Sequence, residues 1–370
     1  MLGSLVAEID ALVAADPLGL ADGDTVVELH RQCERLAAVL VRAAAAFDAG
    51  RSWEADGARS SASWLAARCR TPVSATRRRV RLGRELRSMP AAETAWLAGD
   101  VGEAHVEPLA AVRRRVGGEV FDADEERLVE HARTMGHRAF GQVLAYWEQA
   151  ADPDGVERDA EAQRDGRRVH LSESFGGTWL LDGVLDPISG EIVATALDRI
   201  GEELFKVEWA EHGRAVRSPA QRRADALVEM ARRAGAAPAG GRLPAPLFTV
   251  FVGYETLAGR MCELAGGSVV PPGSLLPWLT EAYIERVVFD GPDRVMNVGV
   301  RRRFFEGATR RAVEVRDREC YSEFCDEPAG RCEIDHVQPY GEGGLTVDDN
   351  GRPACPHHHR RRDGPGGPAP

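Results

Sequence analysis

Near its C-terminal end the chain carries Cys320 and Cys325 in a C-x4-C spacing, then Cys355 and His358 in a C-x2-H spacing. Two thiolates from one turn, with a thiolate and an imidazole from a second, suit a closed tetrahedral Zn²⁺ site. A segment this short cannot build a large core, so a metal staple constrains its fold more than any hydrophobic pattern does. If Cys355–His359 opens a helix, Cys355 and His358 are i, i+3 neighbours on one face. His359 is then turned by about 100° and faces elsewhere. Cys332 is an alternative ligand or a buried structural thiol, and its place three residues before Asp335 favours the thiol.

The other cysteines support a metal rather than a disulfide framework. Cys33, Cys69 and Cys262 are scattered singly, so the total of seven is odd with one tight cluster. That usage points to a reducing compartment, and a cytoplasmic location is expected. No run of 18 apolar residues is present, and Met1–Ala15 lacks a basic start and carries Glu8 and Asp10. Neither a transmembrane span nor a signal peptide is read there, and no membrane partner is expected. The 370 residues are 44% hydrophobic and 28% charged, which excludes wholesale disorder, and the net charge of −11 excludes a histone-like protein. All basic residues but Lys206 are arginine, a bias that lowers the weight of any single Arg cluster.

The periodicity predicts a chain that is mainly α with a small β element. Asp24 is expected to cap a helix whose Val27, Leu29, Leu36, Leu40 and Val41 share a face, with Gly50 as its stop. Further helices are expected at Ser61–Cys69, with Trp64 and Leu65 inward, at Val73–Ser88, and near Glu103–Arg115, Asp124–Arg133 and Arg138–Ala150. Arg167–Phe175 and Thr178–Leu185 around Gly176-Gly177 read as a β-hairpin. Helices follow at Ile188–Phe205 and Pro219–Arg233. The Ala/Pro/Gly-rich stretch Ala236–Pro246 reads as a linker. Strands are expected at Leu247–Gly253, Val287–Phe289 and Arg294–Val300. The domain reading is a mostly helical region over 1–300 (helical 1–235, linker 236–246, a small α/β part 247–300), a metal-stapled domain over 305–363 and a disordered tail over 364–370.

With the zinc candidates set aside, Asp335, His336, Asn350 and His359 remain in the C-terminal region. They offer a carboxylate and an imidazole for a hard divalent ion, a second imidazole as base and an amide to orient it, the inventory for metal-assisted phosphodiester hydrolysis. Asp335 and His336 are adjacent, so on a strand they project to opposite sides. Their cooperation requires a local bend or a metal at the strand's edge.

This region resembles the HNH endonuclease domain. The resemblance rests on Asp335-His336, Gly343-Gly344 with Thr346, Asn350, Cys355 and His358-His359 at the family's spacing. It implies a ββα-metal fold with His336 as general base and Asp335 and His359 on a catalytic Mg²⁺ or Mn²⁺. It further implies that Asn350 orients His336, and that Cys320, Cys325, Cys355 and His358 hold structural Zn²⁺. DNA is the implied partner. Upstream, Trp53-Glu54-Ala55-Asp56-Gly57, Gln221-Arg222-Arg223-Ala224-Asp225 and Arg316-Asp317-Arg318-Glu319-Cys320 resemble a large family of high-GC bacteria. That family joins a helical domain of unknown function to a C-terminal HNH domain. One departure is that Gly364-Pro365 follows soon after the His-His pair and shortens the last helix, which bears on how His359 is supported.

Two other functional classes stand beside the nuclease: a zinc-stabilised nucleic-acid-binding module without cleavage, and an interaction scaffold built on the helical region. Arg301, Arg302, Arg303, Arg360 and Arg361, with Arg310, Arg311 and Arg362, are candidate phosphate contacts. Residues 301–370 nevertheless hold 12 Arg against 13 acidic residues, so binding there depends on local placement. The Arg77, Arg81 and Arg84 stripe, with Arg78 and Arg87, reads as a solvated helix face. His357 reads as solvent-facing or a phosphate contact.

Overall fold

The computed structural model describes residues 2–236, 247–252, 262–264, 267–275, 278, 283–288, 305 and 307–362. The chain divides into two compact units, 1–151 and 152–370, a division that falls inside the region read above as one over 1–300. The 237–246 part of the expected linker, the strand expected at Arg294–Val300 and the tail at 364–370 lie outside the described residues.

The first unit is helical: α1 (Leu2–Ala14), α2 (Gly23–Gly50), α3 (Ser61–Cys69), α4 (Val73–Leu86), α5 (Pro90–Ala98), α6 (Glu103–Val116), α7 (Gly118–Asp122), α8 (Glu125–Thr134) and α9 (His137–Ala151). Asp22, not Asp24, caps α2, its carboxylate accepting the Thr25 N–H at 2.9 Å. A cap must sit outside the helix with extended backbone, as Asp22 does, while Asp24 lies in the first turn, where its charge still favours the helix dipole.

The face that α2 buries also differs from the expected one. Ala38, Val41, Ala44 and Ala45 are buried, whereas Val27, Leu36 and Leu40 are exposed. The small face permits a close helix crossing. Gly83 of α4 lies so near α2 that an added Cβ would collide with the Val41 carbonyl oxygen and come within 2.8 Å of the Ala45 methyl. Trp96, Phe121, Phe140, Met89 and Leu109 fill the core of this unit. Polar anchors fix its register: Glu34 accepts from the Trp96 indole N–H at 2.9 Å and the Glu103 N–H at 2.8 Å. Buried Glu125 accepts the Ala92 N–H at 2.9 Å and so caps α5. Trp64 and Leu65 are only half-buried, because Ala62 and Ala66 take the inner face of α3.

The second unit begins with α10 (Pro153–Asp165), the hairpin β1 (Arg168–Glu173) and β2 (Trp179–Val184), then α11 (Pro187–His212) and α12 (Pro219–Ala236). Gly177, at φ +76°, supplies the left-handed turn of the hairpin. Buried Glu208 accepts the Val216 and Arg217 N–H groups at 2.7 and 2.6 Å and pairs with Arg222 at 3.2 Å, tying the connection between α11 and α12. A four-stranded sheet follows in the order β5 (Val269–Val270), β4 (Cys262–Leu264), β3 (Leu247–Val252) and β6 (Tyr283–Val288), with β3 and β6 parallel. A short α13 (Pro272–Leu275) lies between β5 and β6. The chain is thus mainly helical with small sheets.

Of the stripe read along α4, Arg77 and Arg81 are exposed, and Arg78, Arg84 and Arg87 meet neighbours. Arg84 pairs with Asp48 at 2.7 Å, Arg78 with Glu103 and Glu107 at 3.2 and 3.4 Å, and Arg87 donates to the Ala45 carbonyl. The α2–α4 crossing can be checked directly. Gly83→Ala should destabilise the protein by about 1–3 kcal/mol through overpacking, despite alanine's better helix propensity. A urea melt with an unchanged or raised midpoint would disprove the close approach.

Candidate metal centre and adjoining polar site

Residues 305–362 fold around a hairpin and two helices: α14 (Gly307–Asp317), β7 (Glu333–His336), β8 (Gly351–Ala354) and α15 (Pro356–Arg362). α14 is fastened to the hairpin by arginines. Arg310 donates to the Cys332 carbonyl at 2.8 Å, and Arg316 to the Asp348 and Gly351 carbonyls at 2.7 and 2.6 Å. Gly351 is required by this packing, since a Cβ there would lie 2.7 Å from Val313 and 2.8 Å from Phe305. After α14, Arg318 turns the chain in the left-handed region (φ 58°), and its guanidinium binds buried Glu263 of β4 at 2.9 Å.

That turn leads into the cysteine cluster. The Cys320 N–H donates to the Glu327 carbonyl and the Cys325 N–H to Ser322, which curls the C-x4-C segment so that both thiols face inward. Cys355 sits before α15, and His358 follows one turn later. The donor atoms of Cys320, Cys325, Cys355 and His358 all lie within 4.8 Å of one another. His358 Nδ1 is 3.4 Å from Cys320 Sγ and 3.2 Å from Cys355 Sγ, and Cys325 Sγ is 3.9 Å from Cys355 Sγ. Tetrahedral Zn²⁺ with bonds of about 2.3 Å to sulfur and about 2.0–2.1 Å to nitrogen needs edges of roughly 3.8 and 3.5 Å. The cluster could hold a metal such as zinc.

The cysteine thiols bear on one another electrostatically. Burial alone would raise the Cys320 thiol, but hydrogen bonds from the Cys355 and Ser322 N–H groups and from the Cys325 and Cys355 thiols bring it below the ordinary value. At Cys325 the Glu327 N–H works downward, yet burial and the neighbouring Cys355 and Cys320 push the thiol up to about 11. A thiolate at one of the two thus disfavours a thiolate at the other, and a divalent ion would offset that by displacing protons. Cys332 stands apart from the four. It is buried, lies 3.8 Å from the Glu327 carbonyl, and burial first and Cys320 next push it up to about 12. It is a structural thiol.

The remaining candidates lie on the hairpin and α15. β7 pairs regularly with β8, with Asp335 opposite Arg352 and His336 opposite Gly351, so no bulge reconciles the adjacent side chains. Asp335 and His336 leave the strand on opposite faces, which leaves the strand's edge as the place where they could cooperate. His336 Nε2 is 2.9 Å from the buried Thr346 hydroxyl, and its ring packs on Phe305 (centroids 4.6 Å) and Tyr340 (5.8 Å). Asp335 meets Arg352 at 3.6 Å, and that guanidinium lies 4.0 Å above the Tyr321 ring. His359 Nε2 is 3.5 Å from a Glu333 carboxylate oxygen.

Asn350 is placed differently from the expectation that it orients His336. Its amide oxygen accepts the Gln338 N–H at 2.8 Å, and its NH₂ donates to the Gln338 and Leu345 carbonyls at 3.1 and 2.7 Å. These bonds close the 337–350 loop, because an amide can satisfy backbone donors and acceptors together. The loop in turn carries Thr346, which makes the contact to the His336 ring. Gly344 fits inside this closure, since a Cβ there would strike the Gln338 carbonyl and lie 2.9 Å from the Asn350 amide nitrogen.

Sequence reasoning passed over Glu333 and Arg352. Glu333 is two residues before Asp335, so strand period places both on one face, a signal present in the sequence. Arg352 is visible only once the register pairs it with Asp335. His357 is exposed. Arg360 and Arg361 belong to α15, but their side chains, and the whole of Arg301, Arg302 and Arg303, lie outside what is described.

The profile of a domain of unknown function (DUF222) matches residues 24–317. The chain belongs to the DUF222 family. Two uncharacterized proteins of Mycobacterium tuberculosis, from strains CDC 1551 / Oshkosh and ATCC 25618 / H37Rv, are each 26% identical over 280 residues, or 68% of this chain. The chain spans 61% of the length of these relatives. No solved structure matches. The DUF222 match ends at Asp317, the last residue of α14, so the four-donor cluster lies beyond it. No helix among the described residues is long and apolar enough to cross a membrane.

The cluster predicts about one Zn²⁺ per chain by metal analysis of protein purified without chelator. Cys325→Ser should lose it and loosen residues 305–362, while Cys332→Ser should keep it. Equal zinc loss in both variants would remove the distinction drawn between the thiols.

Proposed function

We propose that residues 305–362 act as a metal-dependent HNH endonuclease that hydrolyses DNA phosphodiester bonds, with His336 as general base. The observation that supports this best is the joint placement of the polar residues on a hairpin and helix anchored by the cysteine cluster. His336 is gripped at Nε2 by Thr346, while Asp335 and Glu333 share the other face of β7 and Glu333 reaches His359 of α15.

The base-competent tautomer is the one in which Nε2–H donates to Thr346, which assigns proton acceptance from water to Nδ1. Asp335 and His359 offer an oxygen and an imidazole donor of the kind that take Mg²⁺ or Mn²⁺, and Glu333, 3.5 Å from His359, adds a further carboxylate. Such an ion, when bound, supplies charge stabilisation at the phosphate and at the leaving 3′ oxygen. The four soft donors suit Zn²⁺ in a structural role. The second reading, a zinc-stabilised nucleic-acid-binding module without cleavage, draws on the Asp335–Arg352 pair, because a guanidinium beside that carboxylate opposes a cation.

Plasmid nicking in Mg²⁺ or Mn²⁺ separates the two. His336→Ala should keep its zinc and its DNA affinity and lose about 10²–10⁴ in rate, the usual contribution of a positioned base. His359→Ala should need more Mg²⁺ or Mn²⁺ with zinc retained, whereas His358→Ala should release zinc. Thr346→Val removes one hydrogen bond and should slow nicking by an amount equivalent to about 0.5–1.5 kcal/mol, with Thr346→Ser close to wild type. Undiminished cleavage by His336→Ala would end the catalytic assignment in favour of the binding module.

A further inference from the structure

Arg310, Arg316 and Arg318 each donate hydrogen bonds of 2.6–2.9 Å to backbone carbonyls or to a carboxylate. Arg352 does not. Its side chain is only 20% exposed and its Nε is buried, yet among the described residues its guanidinium finds no hydrogen-bond acceptor. Its one ion-pair partner there is Asp335, at 3.6 Å, which is too far for a hydrogen bond. A guanidinium carries five donors in a planar fork, and sheltered donors are nearly always satisfied.

Two contacts fix where this fork sits. Arg352 stands opposite Asp335 in the β7–β8 ladder, and strand period puts Glu333 on the same face. The guanidinium also lies 4.0 Å above the Tyr321 ring, and the Tyr321 N–H donates to the Pro353 carbonyl at 2.8 Å, which ties that residue to β8. Stacking occupies the flat side of a guanidinium and leaves its N–H edge open. The edge therefore lacks an acceptor on the face that also bears Asp335, Glu333 and, through Glu333, His359. Paired oxygens of an anion fill such an edge best, and a phosphodiester entering the nuclease site comes to this face.

We propose that Arg352 is a phosphate-binding residue of the nuclease site, its guanidinium passing from Asp335 to the oxygens of a DNA backbone phosphate when Asp335 is engaged by a divalent ion. The inference rests on the nuclease reading for its ligand. It also removes a conflict within that site. A guanidinium and a divalent ion compete for one carboxylate only until the substrate brings a second negative charge. Ion and DNA are then coupled through Arg352, each favouring the binding of the other.

The test uses the full, zinc-loaded chain in a His336→Ala background, so that a labelled duplex is not consumed, with fluorescence anisotropy in chelator-free buffer. Mn²⁺ should tighten binding by about tenfold, and Arg352→Gln should remove that gain while changing affinity by no more than about twofold without Mn²⁺. In Mn²⁺ the substitution should also lower the slope of log affinity against log salt by about one, the mark of one lost phosphate contact. Asp335→Asn, which frees the guanidinium, should bind more tightly than the background without Mn²⁺ and gain nothing from the ion. Arg352→Lys keeps a charge beside Asp335 but loses the fork, so it should hold its zinc and give up about threefold or more of the affinity in Mn²⁺.

Variants of Arg352 that keep the whole Mn²⁺-dependent gain overturn the proposal. So does an equal loss with and without Mn²⁺, which is what a merely structural residue would show. If Arg352→Gln sheds its zinc, the Arg352→Lys result decides. A wild type that nicks plasmid while the Arg352 variants bind like the background overturns this inference and leaves the nuclease reading standing. Arg352-dependent, Mn²⁺-coupled binding beside a wild type that never nicks does the reverse. A chain that binds no duplex in Mn²⁺ overturns both.

Discussion

Three thiols and an imidazole drawn from separate stretches of chain are held with their donor atoms within 4.8 Å of one another. Without a cation this arrangement is unfavourable, because each thiolate that forms raises its neighbour, as the opposite displacements of Cys320 and Cys325 show. With a divalent ion the same crowding becomes a cross-link. It joins the turn after α14 to the start of α15 and thereby fixes the ends of the β7–β8 hairpin. It would add to the hydrogen bonds from Arg310 and Arg316 of α14 and to a small apolar interior made of Phe305, Ala312, Val313, Val315, Ala329 and Ala354 with three cysteines. A metal held by the four donors would therefore couple its binding to the folding of this segment.

The polar site depends on that anchor at one remove. Its geometry is set by hydrogen bonds to the backbone more than by contacts among its own side chains. Asn350 closes the loop, Gly344 makes room for the closure, and the loop delivers Thr346 to His336. On the other face of the strand, Arg352 and Glu333 stand beside Asp335 and His359 as charge partners. α14 links the two regions of the chain. It closes the DUF222 match, yet its arginines grip Cys332, Asp348 and Gly351 of the hairpin region. The family's last helix is therefore a structural part of the cysteine-bearing module.

The helical unit is governed by a different constraint, the size of side chains where helices cross. Ala38, Ala44, Ala45 and Gly83 bring α2 and α4 together closely enough that the larger residues of α2 have no place in the core. Periodicity registers where apolar residues recur, but not which of two stripes meets the neighbouring helix. Of the residues that periodicity places on one face of α2, only Val41 is buried.

Much of the candidate centre was legible in the residues themselves. Ligand chemistry demands particular side chains at short spacings, so Cys320, Cys325, Cys355 and His358 could be picked out by type and interval. The start of α3, the hairpin at Gly176-Gly177 and the N-terminal proline of α12 were likewise local, because caps and turns are decided by a few neighbouring residues. Partners distant in sequence were not legible. That Asn350 would bind loop backbone and leave His336 to Thr346, that Arg352 would stand opposite Asp335, and that α2 would turn its alanines inward were settled by register and by the close approach of backbones. Those are properties of the folded chain, since each depends on contacts between residues that the sequence leaves far apart.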